Sequence, residues 1–355
     1  MVWALGCVVL LAGALALLGG ISRGMARRSA LPTPSDEFHQ ARTADGWLIG
    51  LHRYRPAGQG PAGEPVLLCH GLMSCRFSLD LTEERSLARF LRGRGFDVWL
   101  MDLRAHGDSV RENGRRTGWD WSIDDYIRSD LPAAVSCVLT TTGARKLHWV
   151  GHSLGGMILY AHCLTGERSW FRSAVTIDSP GHFGPLRQPT WPGSLYAHLV
   201  PVVPIILFKP IFHLISMLVP GRVLYEDLLL DRESLRLIVY NALVDWGSSK
   251  ALMHLSRMVA RGRFCSMDGT EDYEQGPGRI DFPMMVLRAP RSRVPEACVR
   301  RAFEASPAAE KRYVRLGRRE GMSIDHNHFS VVMGETAREE VYPVIAEWLG
   351  RWPCA

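Results

Sequence analysis

The hydrophobic positions along the chain form short apolar runs that alternate with helical patterns. Beyond residue 46, runs such as 65–69 and 147–150 predict buried strands, and the longer amphipathic stretches between them predict helices. This alternation is typical of a mostly parallel central sheet with helices on both faces. The other predicted strands are 47–54, 96–101, 174–177, 284–287 and 313–316, and the predicted helices are 81–91, 123–141, 154–164 and 336–349.

The first of two unusually apolar segments lies at the N-terminus, where 16 of the first 20 residues are hydrophobic and the other four are glycine. Twenty helical residues span about 30 Å, the thickness of a bilayer's hydrocarbon core. Arg23, Arg27 and Arg28 follow, which favours a cytoplasmic body. We therefore expect a transmembrane anchor over residues 1–22. Within it, residues 1–21 would contact the membrane. The alternative is a cleaved signal, with a secreted or periplasmic protein.

The second apolar segment, residues 195–220, has 18 hydrophobic residues among 26. Four prolines and Lys209 interrupt it, which argues against a second membrane span. We predict instead an apolar cap that covers a binding pocket or touches a membrane surface. The predicted organisation is an anchor over 1–22, a linker over 23–40, a first core segment over 41–182, a cap over 183–263 and a second core segment over 264–355.

Charge and cysteine content exclude other classes of function. The net charge is +6, but the 42 basic residues are scattered along the chain and form no basic stripe interleaved with aromatic residues. Nucleic acid is therefore not an expected partner. The eight cysteines contain no C-x-x-C pair, so buried reduced thiols are expected. No metal and no other cofactor is implied.

The strongest local motif is Gly151-His152-Ser153-Leu154-Gly155, between a predicted strand and a predicted apolar helix. A G-x-S-x-G sequence in this context predicts a nucleophile elbow, a tight turn that projects the serine hydroxyl above the sheet. Serine is a poor nucleophile until a base removes its proton. The pattern therefore predicts Ser153 as a nucleophile that is served by a histidine from elsewhere in the chain.

Two histidines near the C-terminus are candidates for that base. His328 and His326 both precede the last predicted helix, which is where hydrolases with this elbow carry the base. His328 is the better candidate and His326 its rival. A backbone N–H in the turn after the first buried strand, Cys69-His70-Gly71-Leu72, would combine with the N–H of Leu154 as an oxyanion hole.

These motifs resemble the α/β-hydrolase superfamily, and within it the acid lipases, the group of the gastric and lysosomal lipases. The similarity covers residues 41–178 well and residues 283–350 more thinly, and it is carried above all by 66–72, 146–155 and 327–329. The resemblance implies an α/β-hydrolase fold with an inserted cap. It also implies Ser153 as nucleophile, His328 as general base, and the Leu72 and Leu154 N–H groups as the oxyanion hole.

The chain departs from the acid lipases at the third member of the catalytic triad. Relatives carry an aspartate in the loop after strand 284–287, but Ser292 stands there, and residues 288–295 contain no carboxylate. One alternative is that the acid has moved to Asp178, at the end of the preceding strand. Asp325 is a further candidate. The other alternative is a degraded triad. Loss of the acid alone can lower kcat by about 10⁴-fold.

The function expected from the sequence is a membrane-anchored serine hydrolase. It would cleave carboxylic esters of apolar, lipid-like substrates through an acyl-enzyme, with Ser153, His328 and Asp178 as the triad. The alternative is a non-catalytic α/β-hydrolase-fold protein that binds a lipid or a protein partner. Acyl transfer to an alcohol is a third option.

Overall fold

The computed structural model describes residues 2–57, 63–114, 120–187, 209, 232–243 and 248–353. Its central feature is a sheet that contains nine strands within these residues. Eight strands follow the order β1-β2-β4-β3-β6-β7-β8-β9, and β5 pairs with β2. The strands are β1 Glu37–Arg42, β2 Trp47–Tyr54, β3 Pro65–Cys69, β4 Asp97–Met101, β5 Val110–Arg111, β6 Leu147–His152, β7 Phe171–Ile177, β8 Met284–Arg288 and β9 Lys311–Arg315.

The sheet is antiparallel only where β1, β2, β4 and β5 meet, and all pairs from β4 to β9 are parallel. Every residue of β3, β4, β6 and β8 is buried, which is why their sequences are mostly apolar and do not alternate between apolar and polar residues. This architecture confirms the predicted α/β-hydrolase fold class.

Helices cover both faces of the sheet. Alternate residues of one strand face opposite layers, so Trp149 of β6 packs in one hydrophobic core and Val150 in the other. The helices are α1 Val2–Ser29, α2 Leu87–Gly93, α3 Ile123–Asp125, α4 Leu131–Thr142, α5 Leu154–Thr165, α6 Arg232–Leu237, α7 Ser249–Arg261, α8 Glu296–Ala305, α9 Ser330–Met333, α10 Ala337–Glu340 and α11 Tyr342–Gly350.

Prolines and caps shorten several predicted helices. The helix expected over 123–141 is divided by a π-helical turn, Tyr126–Asp130, ahead of the proline at the start of α4. The helix expected over 336–349 is divided into α10 and α11, and α11 also has a proline in its first turn. Proline lacks an N–H donor, so it is accommodated in the first turn of a new helix. The helix predicted over 81–91 begins only at Leu87, because the Ser86 hydroxyl caps the Arg89 N–H.

The predicted membrane anchor is wrong. Within the described residues, no helix combines the length and apolarity that a membrane span requires. The cytoplasmic placement inferred from such a span is therefore withdrawn. The end of α1 packs on the protein: Met25 and Ala26 contact a small hydrophobic cluster with Tyr240, and the Ser29 carbonyl accepts a hydrogen bond from Asn241. β1 also begins inside the stretch predicted as a linker and extends two residues beyond it.

The apolar segment 195–220 lies outside the described residues except for Lys209, so the predicted cap remains a prediction for that part. The described pieces of 183–263 contact the loop after β3. The Cys75 N–H donates to the Ala242 carbonyl over 3.0 Å, and Leu252 of α7 packs against Leu72 and Met73. The loop that carries one expected oxyanion donor is therefore held from outside the sheet.

Candidate active site

The carboxyl ends of four parallel strands meet at one edge of the sheet. Strand register pairs Cys69 of β3 with Gly151 of β6, His152 of β6 with Ile177 of β7, and Ile177 with Leu287 of β8. Ligand sites of open α/β sheets lie at this edge, because loops from neighbouring strands converge there. Ser153, Asp178 and the loop after β8 follow directly.

Ser153 occupies a strained turn between β6 and α5. Its backbone has φ 53° and ψ −113°, a conformation that non-glycine residues rarely adopt. The flanking glycines are required by close approach: a Cβ on Gly151 would lie 2.4 Å from the Gly155 carbonyl carbon, and one on Gly155 would lie 2.4 Å from the Cys69 oxygen. These are the features of the nucleophile elbow that the sequence motif predicted.

His328 and Asp178 are in direct contact although 150 residues separate them. The His328 Nδ1 lies 2.6 Å from Asp178 Oδ2. Asp178 is fully buried and follows β7 with φ 49°, so it too has a left-handed backbone. A histidine whose Nδ1–H donates to a carboxylate has its Nε2 available as a base. Of the predicted acids, Asp178 is the one that meets His328.

The Asp178 carboxylate is held by the loop that lacks the expected aspartate. The Arg288 guanidinium donates to Asp178 Oδ1, and the Ala289 N–H donates to the same oxygen over 3.3 Å. Burial alone would raise the pKa of Asp178. The hydrogen bond from His328 and the charges of His328 and Arg288 outweigh it, and the pKa lies below its usual value.

The rival residues have other partners. His326 is fully buried, with Nε2 3.1 Å from Glu340 Oε2 and Nδ1 3.3 Å from the Ser330 hydroxyl. Asp325 accepts a hydrogen bond from the Arg318 N–H over 2.9 Å instead of contacting His328. His326 and His328 therefore do not share a metal ion through these atoms.

One other cluster has metal-ligand residue types. His52, Asp102 and Asp108 place their ligand atoms within 4.8 Å of one another. The Arg76 guanidinium lies among them, 3.0 Å from Asp102 and 2.9 Å from Asp108. The arginine already supplies the positive charge that a metal would bring, so this cluster is an ion-pair network.

The expected oxyanion donors lie on either side of Ser153. Leu154 is the first residue of α5, and the first N–H groups of a helix have no acceptor within it. On the other side, a Cβ on Gly71 would lie 3.2 Å from the Ser153 Cβ, so the turn that leads to Leu72 passes directly over the serine. His70 holds this turn: its Nδ1 contacts the Gly71 carbonyl at 2.8 Å and its Nε2 accepts the Leu103 N–H at 3.1 Å.

Three buried histidines surround the site in neutral form. Burial lowers the pKa of His152 to about 3, helped by the charge of His328, and burial lowers that of His106 to about 4. The pKa of His70 is lowered for the same reason. His152 Nε2 lies 2.9 Å from the His328 carbonyl oxygen, so a neutral His152 donates there and fixes the backbone of the candidate base.

Sequence reasoning missed two supporting residues. The signal for Arg288 was available, because an arginine that ends a wholly apolar strand must find a buried partner. His152 stood inside the elbow motif, but nothing in its spacing predicted a bond to His328.

The elbow glycine Gly155 gives a test of the local packing. Gly155→Ala should lower the free energy of unfolding by about 3 kcal/mol, because its Cβ would meet backbone atoms that cannot move aside. Urea unfolding at neutral pH measures the change. The matched control is Gly93→Ala, where no atom lies within 4 Å of the added Cβ, and it should change stability little. Equal effects at both glycines would contradict the close approach.

The pH dependence of the free energy of unfolding tests whether the buried histidines are neutral. Below pH 6.5 the unfolded chain binds a proton at residue 106, whereas the folded chain does not until about pH 4. The free energy of unfolding should therefore fall on acidification, by up to about 1.4 kcal/mol per pH unit for this histidine. His106→Asn, whose amide can replace Nδ1, should show a shallower fall between pH 6.5 and about 4. An unchanged slope would contradict a buried neutral His106.

Comparison with known proteins finds sequence similarity to a family model and to lipases and a sterol esterase. The family model "alpha/beta hydrolase fold" matches residues 64–197. Sterol esterase 2 of Saccharomyces cerevisiae is 31% identical over 170 residues, which is 45% of this chain and 31% of that protein. Gastric triacylglycerol lipase of Bos taurus is 30% identical over 220 residues, 58% of this chain and 54% of the lipase. The chain thus spans about a third to a half of these relatives' length.

Solved structures match over nearly the whole chain. A putative aryl esterase from Burkholderia cenocepacia superimposes with a TM-score of 0.55 at 17% identity, covering 89% of this chain and all of that one. A thermophilic esterase from Thermogutta terrifontis gives a TM-score of 0.57 at 16% identity, with 90% and 100% coverage. The chain therefore has the α/β-hydrolase fold, and part of its sequence is similar to lipases and a sterol esterase.

Proposed function

We propose that this protein is a serine hydrolase that cleaves carboxylic esters through an acyl-enzyme. The observation that carries the proposal is the contact between His328 and Asp178, 2.6 Å between Nδ1 and Oδ2, beside a serine in the elbow conformation. Lipases and a sterol esterase are the similar proteins, which fits ester hydrolysis. A non-catalytic protein would have no need of this contact or of the strain at Ser153 and Asp178.

Ser153 acts as the nucleophile. His328 Nε2 takes the proton from the Ser153 hydroxyl while its oxygen forms a bond to the ester carbonyl carbon. The carbonyl electron pair moves onto oxygen, and the N–H groups of Leu72 and Leu154 donate to the resulting oxyanion. Asp178 keeps its negative charge throughout, and it stabilises the imidazolium that forms on His328.

The intermediate then collapses towards the acyl-enzyme. The bond to the alcohol oxygen breaks, His328 returns its proton to that oxygen, and the alcohol leaves. A water molecule next gives a proton to His328 and attacks the acyl carbon. Collapse of this second intermediate releases the carboxylic acid and restores the Ser153 hydroxyl.

Asp178 is proposed as the triad acid in place of the missing aspartate. The carboxylate reaches the imidazole from the end of β7 instead of the end of β8. Its lowered pKa keeps it ionised in mildly acidic solution as well as at neutral pH. The triad is therefore relocated, and the degraded-triad alternative is not favoured.

An apolar acyl group is the proposed substrate feature. Leu72 and Met73 pack on Leu252, so the flank of Ser153 that carries the oxyanion donor is apolar. Such a surface stabilises a hydrocarbon chain by excluding water, by about 0.8 kcal/mol for each buried CH₂ group. The lipase and sterol esterase relatives agree with this substrate class.

A fluorophosphonate probe tests the nucleophile. Such a probe loses fluoride to an activated serine and forms a stable covalent bond. We expect labelling of the wild-type protein and none of Ser153→Ala. Ser169→Ala, which removes an exposed serine, is the matched control and should label fully. Labelling that persists without Ser153, or that never occurs at any pH from about 6 to 9, would contradict the proposal.

The position of the acid is tested by moving it. Asp178→Asn should lower kcat on a p-nitrophenyl ester by about 10⁴-fold, because the asparagine cannot stabilise the imidazolium. Ser292 stands at the usual acid position, in the loop that follows Arg288, which itself bonds to Asp178. Asp178→Asn combined with Ser292→Asp should therefore recover kcat about tenfold or more, the size of a coupling between contacting sites.

The control for this experiment is Asp325→Asn, which should retain wild-type kcat. Unchanged kcat in Asp178→Asn would exclude that residue as the acid. A loss of kcat in Asp325→Asn, with the fold intact, would point to the other candidate.

A further inference from the structure

The end of β8 and the loop after it, residues 288–295, form a positively charged surface beside the candidate base, which we call the cationic wall. These residues include three arginines and no carboxylate. Arg288 points inward and neutralises Asp178. Arg291 and Arg293 are exposed, and both line a cavity of about 400 Å³ that His328, Asn327 and Phe329 also line. Among the described residues that line this cavity there is no acidic side chain.

This wall is fixed relative to His328. The Arg291 N–H donates to the His326 carbonyl over 2.9 Å, which joins the arginine loop to the histidine loop. The Arg288 guanidinium donates to the Val294 carbonyl over 2.7 Å, so the buried end of the loop is held as well. The backbone on both sides of Arg293 is therefore held in place, and the Arg293 guanidinium is exposed. Within the described part of the chain it has no ion-pair partner.

A positive charge beside His328 disfavours the proposed ester hydrolysis. His328 must gain a positive charge in the transition state, and two like charges in a partly enclosed site repel each other. A negative group on the substrate would remove this penalty and would be attracted to the wall as well. The arginines therefore favour an anionic substrate specifically, through both binding and the chemical step.

The geometry also indicates which half of the substrate carries the negative charge. The base returns its proton to the leaving alcohol, so the leaving group lies against His328. The acyl group then lies on the other flank, where Leu72 and Met73 pack on Leu252. One side of the site is apolar and the other is cationic.

We infer that the site selects esters with an apolar acyl group and an alcohol part that carries an anionic group, a carboxylate or a phosphate, which Arg293 binds. This inference rests on the proposed hydrolase function. It concerns the leaving-group side of the same site.

Matched esters test the inference. The probes are 4-carboxyphenyl butyrate, its neutral counterpart 4-carbamoylphenyl butyrate, and 4-(phosphonomethyl)phenyl butyrate, each corrected for its rate of hydrolysis by hydroxide. At low salt, kcat/KM should favour an anionic ester by about fivefold over the neutral one, the effect of one charge pair at partial exposure. The preference should shrink in about 1 M salt, where the screening length is about 3 Å. Comparison of the two anionic probes distinguishes carboxylate from phosphate.

Variants of Arg293 decide whether this side chain is responsible. Arg293→Lys should keep the preference, Arg293→Gln should reduce it, and Arg293→Glu should invert it. Arg301→Gln, which removes an exposed arginine on α8, is the matched control and should keep the full preference. No preference in the wild-type protein, or a preference that survives Arg293→Glu, would overturn the inference.

A binding experiment separates this inference from the hydrolase proposal. Calorimetry on Ser153→Ala compares 4-hydroxybenzoate, the alcohol product of the anionic ester, with the neutral 4-hydroxybenzamide. Tighter binding of the benzoate, lost in Ser153→Ala combined with Arg293→Glu, supports the anion site even if no ester is cleaved. Equal binding of the two compounds would overturn it, whatever the outcome of fluorophosphonate labelling.

Discussion

The buried carboxylate of Asp178 is the group on which the rest of the site depends. A lone carboxylate in the interior costs several kcal/mol, so it must be paired and hydrogen bonded. Asp178 meets this requirement with His328 on one oxygen and with Arg288 and the Ala289 N–H on the other. These contacts join the ends of β7 and β8 to the histidine loop. Removal of either partner would leave a buried charge incompletely compensated.

The backbone of the site is strained at two residues. Ser153 and Asp178 follow neighbouring strands, and both have positive φ, which non-glycine residues adopt at a cost of about 1–3 kcal/mol each. Two buried hydrophobic cores, one on each face of the sheet, hold β6 and β7 in place and offset this cost. A rigid sheet therefore fixes the serine and the acid, and only the histidine arrives on a loop.

Local signals in the sequence were enough to predict the sheet, the elbow and the candidate base. Buried strands such as β3 and β6 are mostly apolar runs, and the elbow needs glycines at fixed spacing, so both could be read from adjacent residues. The role of Asp178 could be named only as one alternative, since its partner lies 150 positions away. Arg288, at the end of an apolar strand, signals a buried partner, but the identity of that partner was missed for the same reason. Its bond to Asp178 depends on strand order, which no local pattern encodes.

The predicted N-terminal anchor is overturned by a different observation: within the described residues, no helix is long and apolar enough to span a membrane. Composition and the arginines that follow it predict such a span, but they do not report whether the helix end contacts the rest of the chain. In the structure, Ser29 bonds to Asn241 and Met25 packs beside Tyr240, contacts of high sequence separation that hydropathy does not reveal.

The central claim is that Asp178 is the residue that bonds to the candidate base, and proton NMR tests it most directly. An imidazole proton shared with a buried carboxylate resonates far downfield of the amide protons. We expect such a resonance from His328 Nδ1–H in the wild-type protein and in Asp325→Asn, and its loss in Asp178→Asn and in His328→Gln. A downfield resonance that persists in Asp178→Asn would contradict the account, because another group would then hold the histidine.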